Sequence, residues 1–490
     1  MIPYLLFTAV VFPAIMAFIL YPIGKRYSKA AGLIFVLVLL VSAVILASYL
    51  PNFLQGGNSI YESYNWIPAF NVSFGFLLDG LSFPIALIIA VLCILVAVYS
   101  LEYMKGVENQ VGYYTCFILF YTGMQGVILA SNLLEFYFFW ELMIVPSYFL
   151  IIFWGTADKA SKVGFKYFIY THVGSLFLLL GIFLTYNYTH TFSLLTLQTG
   201  LAETLMPSLI LKLAVFFMMI SFMVKMAIFP FYTWLPDAHS EAPTPISSLL
   251  SGVMIACGAY AMVRIAVGCF PQTFTSYSLL FAIIGVITMI YGGLMAIVQT
   301  DIKRLLAYSS ISQFGYIFFG FAVYTNLGLV GGLFQIITHA MAKGLLFMVA
   351  GIIMHQTGTR NIKELGGLAG KMPITATAAT IGLLSLAGTP PFCGFVSEFS
   401  IFYGGLTAGG LYTILTAFFL VSMVITAAYC LLFIWRVFLG PTPSNLKDVK
   451  ESSPIMWIPV VVLAVMTVLL GVMPNPLMKI LIPTASKLIG

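Results

Sequence analysis

Residues 221–245 read SFMVKMAIFPFYTWLPDAHSEAPTP. An apolar run suited to a helix reaches Lys225 and then meets Pro230, Pro236, Pro243 and Pro245. A lysine at the centre of a bilayer costs about 2.5–3.5 kcal/mol on insertion scales. A proline inside a helix removes a backbone donor and clashes with the carbonyl four residues back. Together they predict a helix that breaks beside a charge.

Composition identifies the surrounding medium. Of 490 residues, 61% are hydrophobic and 7% charged, with a mean hydropathy of +1.06. A soluble domain is about 25% charged, so the chain is an all-α polytopic membrane protein. The formal charge of +6 is too small and scattered for a nucleic-acid footprint. Cys93, Cys116, Cys257, Cys269, Cys393 and Cys430 lie in or beside apolar runs without metal-ligand spacing and read as small buried hydrophobes. The N-terminal MIPYLLFTAVVFPAIMAF lacks a leading basic region and is too long for a signal core, so it reads as a retained first span.

Windows of about 20 apolar residues predict about fourteen spans. They cover 3–23, 31–50, 81–100, 113–131, 133–154, 163–187, 208–230, 245–267, 277–297, 305–324, 327–354, 374–406, 411–435 and 455–478. The longest connector, Pro51 to Leu78, suits a small hairpin. Alternate connectors hold Lys25, Arg26 and Lys29; Lys105; Lys159, Lys162 and Lys166; Lys303 and Arg304; Arg360, Lys363 and Lys371; and Arg436, Lys447 and Lys450. The opposite connectors and the tail hold Lys479 and Lys487. The positive-inside rule makes the rich side cytoplasmic and puts both termini outside.

Lys212, Lys225, Arg264 and Lys343 remain inside spans. Lys212 and Arg264 lie near span ends, where they are expected to reach the interface. Glu141 and Glu398 sit mid-span, and such residues ordinarily face a bundle interior or a wet cavity. In LLSLAGTPPFCGFVSEF, Pro390 and Pro391 free the carbonyls of Leu386 and Ala387 ahead of Glu398. The breaks at Pro230 and Pro390 are 160 residues and five spans apart. An odd number of spans inverts the second copy. The expected organisation is therefore helices 1–3 over 1–112, a five-helix repeat over 113–267, its inverted partner over 276–440, and a loop with helix 14 over 441–490. Helices 7 and 12 are discontinuous.

Five motifs support a family resemblance: FFWELMIVPSYFLI, VKMAIFPFYTWLPDAHSEAPTP, DIKRLLAYSSISQFGYI, ITHAMAKGLLF and GTPPFCGFVSEF. Together they resemble the antiporter-like subunits of respiratory complex I, F(420)H(2) dehydrogenase, membrane-bound hydrogenases and Mrp cation/proton antiporters. Within that family the chain is most similar to the M subunit, because Glu398 stands where other branches usually carry lysine. Ala256 occupies the position of a family lysine on span eight. Gln313 stands where the M subunit often shows histidine, and Lys343 resembles an addition seen in the L and N subunits.

The resemblance implies a proton- or sodium-translocating subunit in a redox-driven complex, with an Mrp-type antiporter as the alternative and a non-pumping spacer as a third possibility. Glu141 is expected to pair with Lys225, which would link charge movement to proton affinity. His239 is the candidate entry. His339 and Lys343, four apart on one helix face, form the middle of the path, with Ser309, Ser310, Ser312, Gln313 and Thr338 able to hold water. Glu398 is the candidate exit. Asp237 and Glu241 read as loop structure, and His172, His190 and His355 form no constellation, although Thr171 and Ser175 leave His172 a minor role. Nothing resembles a catalytic triad, a phosphate loop or a metal-ligand set, so no redox chemistry belongs to this chain. The family places flavin, iron–sulfur or NiFe centres in partner subunits. The implied partners are further antiporter-like subunits, a peripheral redox module and the lipid bilayer of a prokaryotic cell membrane.

Overall fold

The computed structural model describes residues 5–68, 72–155 and 159–489, with 28 and 29 by backbone alone. The start of the expected 3–23 span, residues 69–71 of the expected hairpin and the last residue of the 441–490 segment lie outside these. In hydrocarbon each backbone polar group needs an internal partner, so spanning segments of this composition become helices.

The chain opens with α1 (Leu5–Arg26), α2 (Ser28–Ala47) and the short α3 (Leu50–Leu54). The connector that follows pairs β1 (Ile60–Ile67) antiparallel with β2 (Val72–Leu78). Next come α4 (Ser82–Tyr103), α5 (Gln110–Leu129), α6 (Leu133–Trp154), α7 (Ala160–Thr189), the short α8 (Leu194–Leu197) and α9 (Leu201–Leu205), and α10 (Ser208–Met226). After α11 (Trp234–Glu241), α12 (Thr244–Leu249) and α13 (Ile255–Ala261) join through π-helical turns into one rod over Thr244–Val267. The second half holds α14 (Pro271–Ile297), α15 (Ile302–Ala322), α16 (Asn326–Thr357), α17 (Pro373–Leu386), α18 (Cys393–Ala408) and α19 (Gly410–Phe433). α20 (Pro454–Val472) and α21 (Asn475–Ile489) close the chain. Side-chain caps start several helices: Asn132 accepts from the Glu135 amide at 2.8 Å, and Asp301 from the Arg304 amide at 3.0 Å.

Among the described residues, 12 helices are long and apolar enough to cross a membrane. The expectation of about fourteen differs at two places. α5 carries Tyr113, Tyr114, Thr115 and Gln125 and is less apolar. The 374–406 span divides into α17 and α18, of 14 and 16 residues. The expected last span, 455–478, is also corrected. α20 ends at Val472, and Pro474 and Pro476 start a separate amphipathic helix, α21, with Leu477, Ile480, Leu481 and Ala485 buried.

The apolar windows of the Thr244–Val267 rod, α15 and α16 are entirely buried, whereas α1, α2, α19 and α20 expose Phe18, Leu33, Val424 and Val472 as a lipid-facing ring does. α10 stops at Met226, one residue past Lys225, with Ala227 in the left-handed region at φ 56°. α17 stops at Leu386, Gly388 takes φ +63°, and the chain turns helical again at Cys393. Phe229–Pro230 and Pro390–Pro391 are both cis.

Candidate functional site

The mid-span acid on α6, Glu141, does not touch Lys225. Its Oε2 lies 3.2 Å from Nδ1 of His172 on α7, and the two side chains are 22% and 40% exposed on the flank of the chain. The helical turn explains the correction. Successive residues point about 100° apart, so when Trp140 faces inward, Glu141 faces α7. Trp140 is the residue that meets Lys225, whose Nζ stands 5.4 Å from the ring centroid. Lys225 is buried and its Nζ has no hydrogen-bond partner among the described residues. Sequence reasoning left His172 only a minor role, yet it too sits mid-span and meets the criterion that singled out Glu141.

Close backbone approach surrounds the lysine. A Cβ on Gly258 would stand 3.1 Å from Cβ of Lys225, and Trp234 donates its indole N–H to the Val224 carbonyl at 3.0 Å, bracing the break. Ala256 is buried on the same rod. In its π-helical turn Ser251 bonds Ser310 of α15 at 2.7 Å, hydroxyl to hydroxyl.

His339 and Lys343 are fully buried on α16. Lys343 Nζ donates to the Leu306 carbonyl at 3.2 Å and to the Ser309 hydroxyl. His339 meets Phe314 edge-on at 4.9 Å between ring centroids, and its ring nitrogens have no partner among the described residues. Ser312, expected in this zone, turns to the Met289 carbonyl at 2.8 Å instead, because its face of α15 packs on α14.

A neutral bridge continues the line. Gln313 Nε2 donates to the Leu386 carbonyl at 3.2 Å, at the end of α17 where the proline pair interrupts the helix. Gln335 donates to Gln313 and accepts from the Ser397 hydroxyl. Glu398 follows Ser397, is 1% exposed, and has no hydrogen-bond partner for either oxygen among the described residues. Gly388 leaves space beside its Oε2 that a Cβ would occupy. Gln335 also escaped sequence reasoning, since an uncharged amide in an apolar span stands out less than a charge. Buried polar atoms without protein partners call for water or a passing ion.

His239, the candidate entry, is fully buried on α11, with its ring stacked on Phe347 at 4.9 Å. Its helix is held by the surrounding basic residues. Asp237 accepts from Lys166 at 2.7 Å and Arg304 at 2.9 Å. Lys303 donates to the Ala242 carbonyl at 2.5 Å. Arg360 donates to the Ser240 carbonyl at 2.9 Å while pairing with Asp301 at 2.7 Å. Burial alone would raise the Asp237 carboxyl, but the hydrogen bonds from Lys166 and Arg304 hold it below its usual value.

Lys212 is exposed near the start of α10, in keeping with an interfacial position. Arg264 is buried against Asp79. It is 2% exposed and clasps Asp79 through two bonds of 2.7 and 2.6 Å, while its Nε donates to the Tyr260 hydroxyl at 2.8 Å. A planar guanidinium matched to a carboxylate is satisfied within the protein and needs no route to water. Among the described residues no group of three or more His, Cys, Asp or Glu side chains is placed to hold a metal ion.

The family described as NADH:quinone oxidoreductase/Mrp antiporter, TM, matches residues 130–426, and that described as NADH-Ubiquinone oxidoreductase (complex I), chain 5 N-terminus, matches residues 66–114. The chain is 32% identical to F(420)H(2) dehydrogenase subunit M of Methanosarcina mazei over 482 residues, covering 95% of this chain and 94% of that one. It is 36% identical over 514 residues to Na(+)/H(+) antiporter subunit A1 of Staphylococcus aureus, covering 99% of this chain and 63% of the antiporter subunit. Its fold superposes on a chain of respiratory complex I from Thermus thermophilus with a TM-score of 0.87 at 26% identity, covering 99% of this chain and all of that one.

Proposed function

We propose a function from one premise: the chain belongs to the NADH:quinone oxidoreductase/Mrp antiporter family of transmembrane proteins. It is a proton- or sodium-translocating membrane subunit of a complex I-like, redox-driven ion pump. The observation that carries this reading is the polar line from the partly exposed Glu141 and His172 past buried Lys225 to His339 and Lys343, then through Gln313, Gln335 and Ser397 to Glu398. Both helix breaks lie on it.

The ion enters beside His239 from the side of the basic loops, which is the cytoplasmic side, and leaves opposite, near Glu398. Charge shifts between the Glu141–His172 pair, Lys225 and Lys343 alter the proton affinity of each neighbour in turn. The spans of 113–267 and 276–440 form two inverted repeats, with Lys225 and Glu398 in comparable places beside the breaks at Pro230 and at Pro390 and Pro391. The chain sits in a prokaryotic plasma membrane with both termini outside.

A half-exposed Glu–His pair at mid-span is costly against lipid. That cost supports a further antiporter-like subunit packed on the α6–α7 flank. Flavin, iron–sulfur or NiFe centres belong to the peripheral redox module, and this chain binds none. Purification of the native complex tests the reading. Flavin or iron–sulfur subunits should co-purify, and ion uptake into vesicles should follow electron transfer. The second reading, an Mrp-type antiporter subunit, draws support from the 36% identity to the Staphylococcus aureus antiporter subunit. Cation/proton exchange in a preparation free of redox subunits would establish it instead.

A further inference from the structure

Three hollows meet around α21, on the side opposite the basic loops. An apolar groove of about 340 Å³ has Leu87 and Val91 of α4, Met466 and Leu470 of α20, and Ile480 of α21 in its walls. It shares Leu54 and Pro476 with a hollow of about 350 Å³ that reaches Lys479. It shares Ile480 with a polar hollow of about 530 Å³ lined by Lys479, Lys487, Asn58, Gln198 and the Asp79–Arg264 pair.

The charge at this mouth is unusual for its side of the protein, since Lys479 and Lys487 are the basic residues of the poor connectors and the tail. Both are exposed, and among the described residues neither is in an ion pair. The acids on that side are engaged elsewhere. Arg264 holds Asp79, Glu62 accepts from the amides of Leu6 and Phe7, and Glu203 accepts from the Thr273 amide. Three cations and one carboxylate leave the polar hollow at a formal +2.

We propose that α21 and the groove hold one anionic glycerophospholipid, with an acyl chain between α4 and α20 and the phosphate between Lys479 and Lys487. An apolar trough opening onto a cationic mouth complements an anionic amphiphile. A partner helix would fill the trough and leave the lysines unneutralised. Inorganic phosphate would use the lysines and leave the trough bare.

The test uses the full chain in detergent, stripped of lipid and exposed to phosphatidylglycerol or phosphatidylcholine of identical acyl chains, with bound lipid counted by native mass spectrometry. The wild type should retain phosphatidylglycerol in preference. K479Q/K487Q should lower that retention about 30-fold, about fivefold per lysine, and leave phosphatidylcholine retention unchanged. Leu87→Trp, which fills the trough, should reduce retention of both lipids. If it does not fold, the lysine variants decide alone, because their side chains are exposed. Equal retention of the two lipids, an unaltered K479Q/K487Q, inorganic phosphate bound without lipid, or a trough that takes neither lipid would each overturn the proposal. The last result would assign the trough to a partner helix.

Discussion

Replacing Gln335 with leucine tests whether the uncharged stretch of the axis conducts. Gln335 is fully buried and links Gln313 of α15 to Ser397 of α18. Leucine is similar in size, so little cavity forms. Ser397 keeps a backbone partner, the Gly394 carbonyl at 3.0 Å, whereas the Gln313 carbonyl oxygen loses its donor. A stranded buried acceptor costs about 1–3 kcal/mol, and with little cavity opened beside it assembly should survive. Added to the barrier for passing charge along the line, the same 1–3 kcal/mol slows translocation by roughly 5- to 150-fold. Vesicles carrying the assembled complex would be assayed for ions moved per electron at matched subunit content, with Gln335→Glu as the polar control. A Gln335→Leu complex that pumps at the wild-type ratio would refute the reasoning and put the route to Glu398 elsewhere.

Lys225→Ala should nearly abolish translocation while leaving assembly intact, because its Nζ has no hydrogen bond to lose; a pH gradient measured in vesicles decides it. Lys343→Ala should be as damaging, and Ala256→Lys in that background should recover part of the activity, measured as ions per electron. Glu398→Gln keeps the shape but removes the titrating group and should stop pumping, whereas Glu398→Lys should restore some at matched expression. Arg264→Ala strands Asp79 and should cost about 3–5 kcal/mol in thermal unfolding. Burial alone would raise Asp79, but the charge and hydrogen bonds of Arg264 bring it to about 2 from the ordinary 3.8. The pair's contribution is therefore complete above the ordinary value and lost as pH falls toward 2, so the gap between wild type and Arg264→Ala should close only in strong acid.

The charges at Lys225, Lys343 and Glu398 were legible because a single ionisable side chain conflicts with an apolar run wherever it points. The breaks were legible because prolines act on their own helix. What the sequence concealed depends on rotation and on distance along the chain. Whether Glu141 meets Lys225 or His172 is fixed by the roll of α6 against its neighbours, which composition does not encode. Arg264 and Asp79 are 185 residues apart, and a span-end arginine reads as interfacial until its partner is seen. Gln335 is neutral and leaves only a faint mark on hydropathy. α21 was absorbed into the preceding span because its apolar face continues the same residue types past Pro474 and Pro476.

The buried trio of the Thr244–Val267 rod, α15 and α16 also bears on how the chain is made. α15 is the least apolar of the twelve crossing helices, and it meets Lys343 of the following helix through Ser309 and the Leu306 carbonyl. Emerging from the ribosome before α16, it would meet lipid with the Gln313 side chain still without Gln335, its partner on α16. α16 in turn brings a lysine whose hydrogen-bond partners, and a histidine whose ring neighbour, lie on the already synthesised α15. These helices are therefore poor candidates for release into the bilayer one at a time. Biogenesis favours holding α15 at the insertion machinery until α16 arrives, so that the polar line is assembled during synthesis and never presented to lipid.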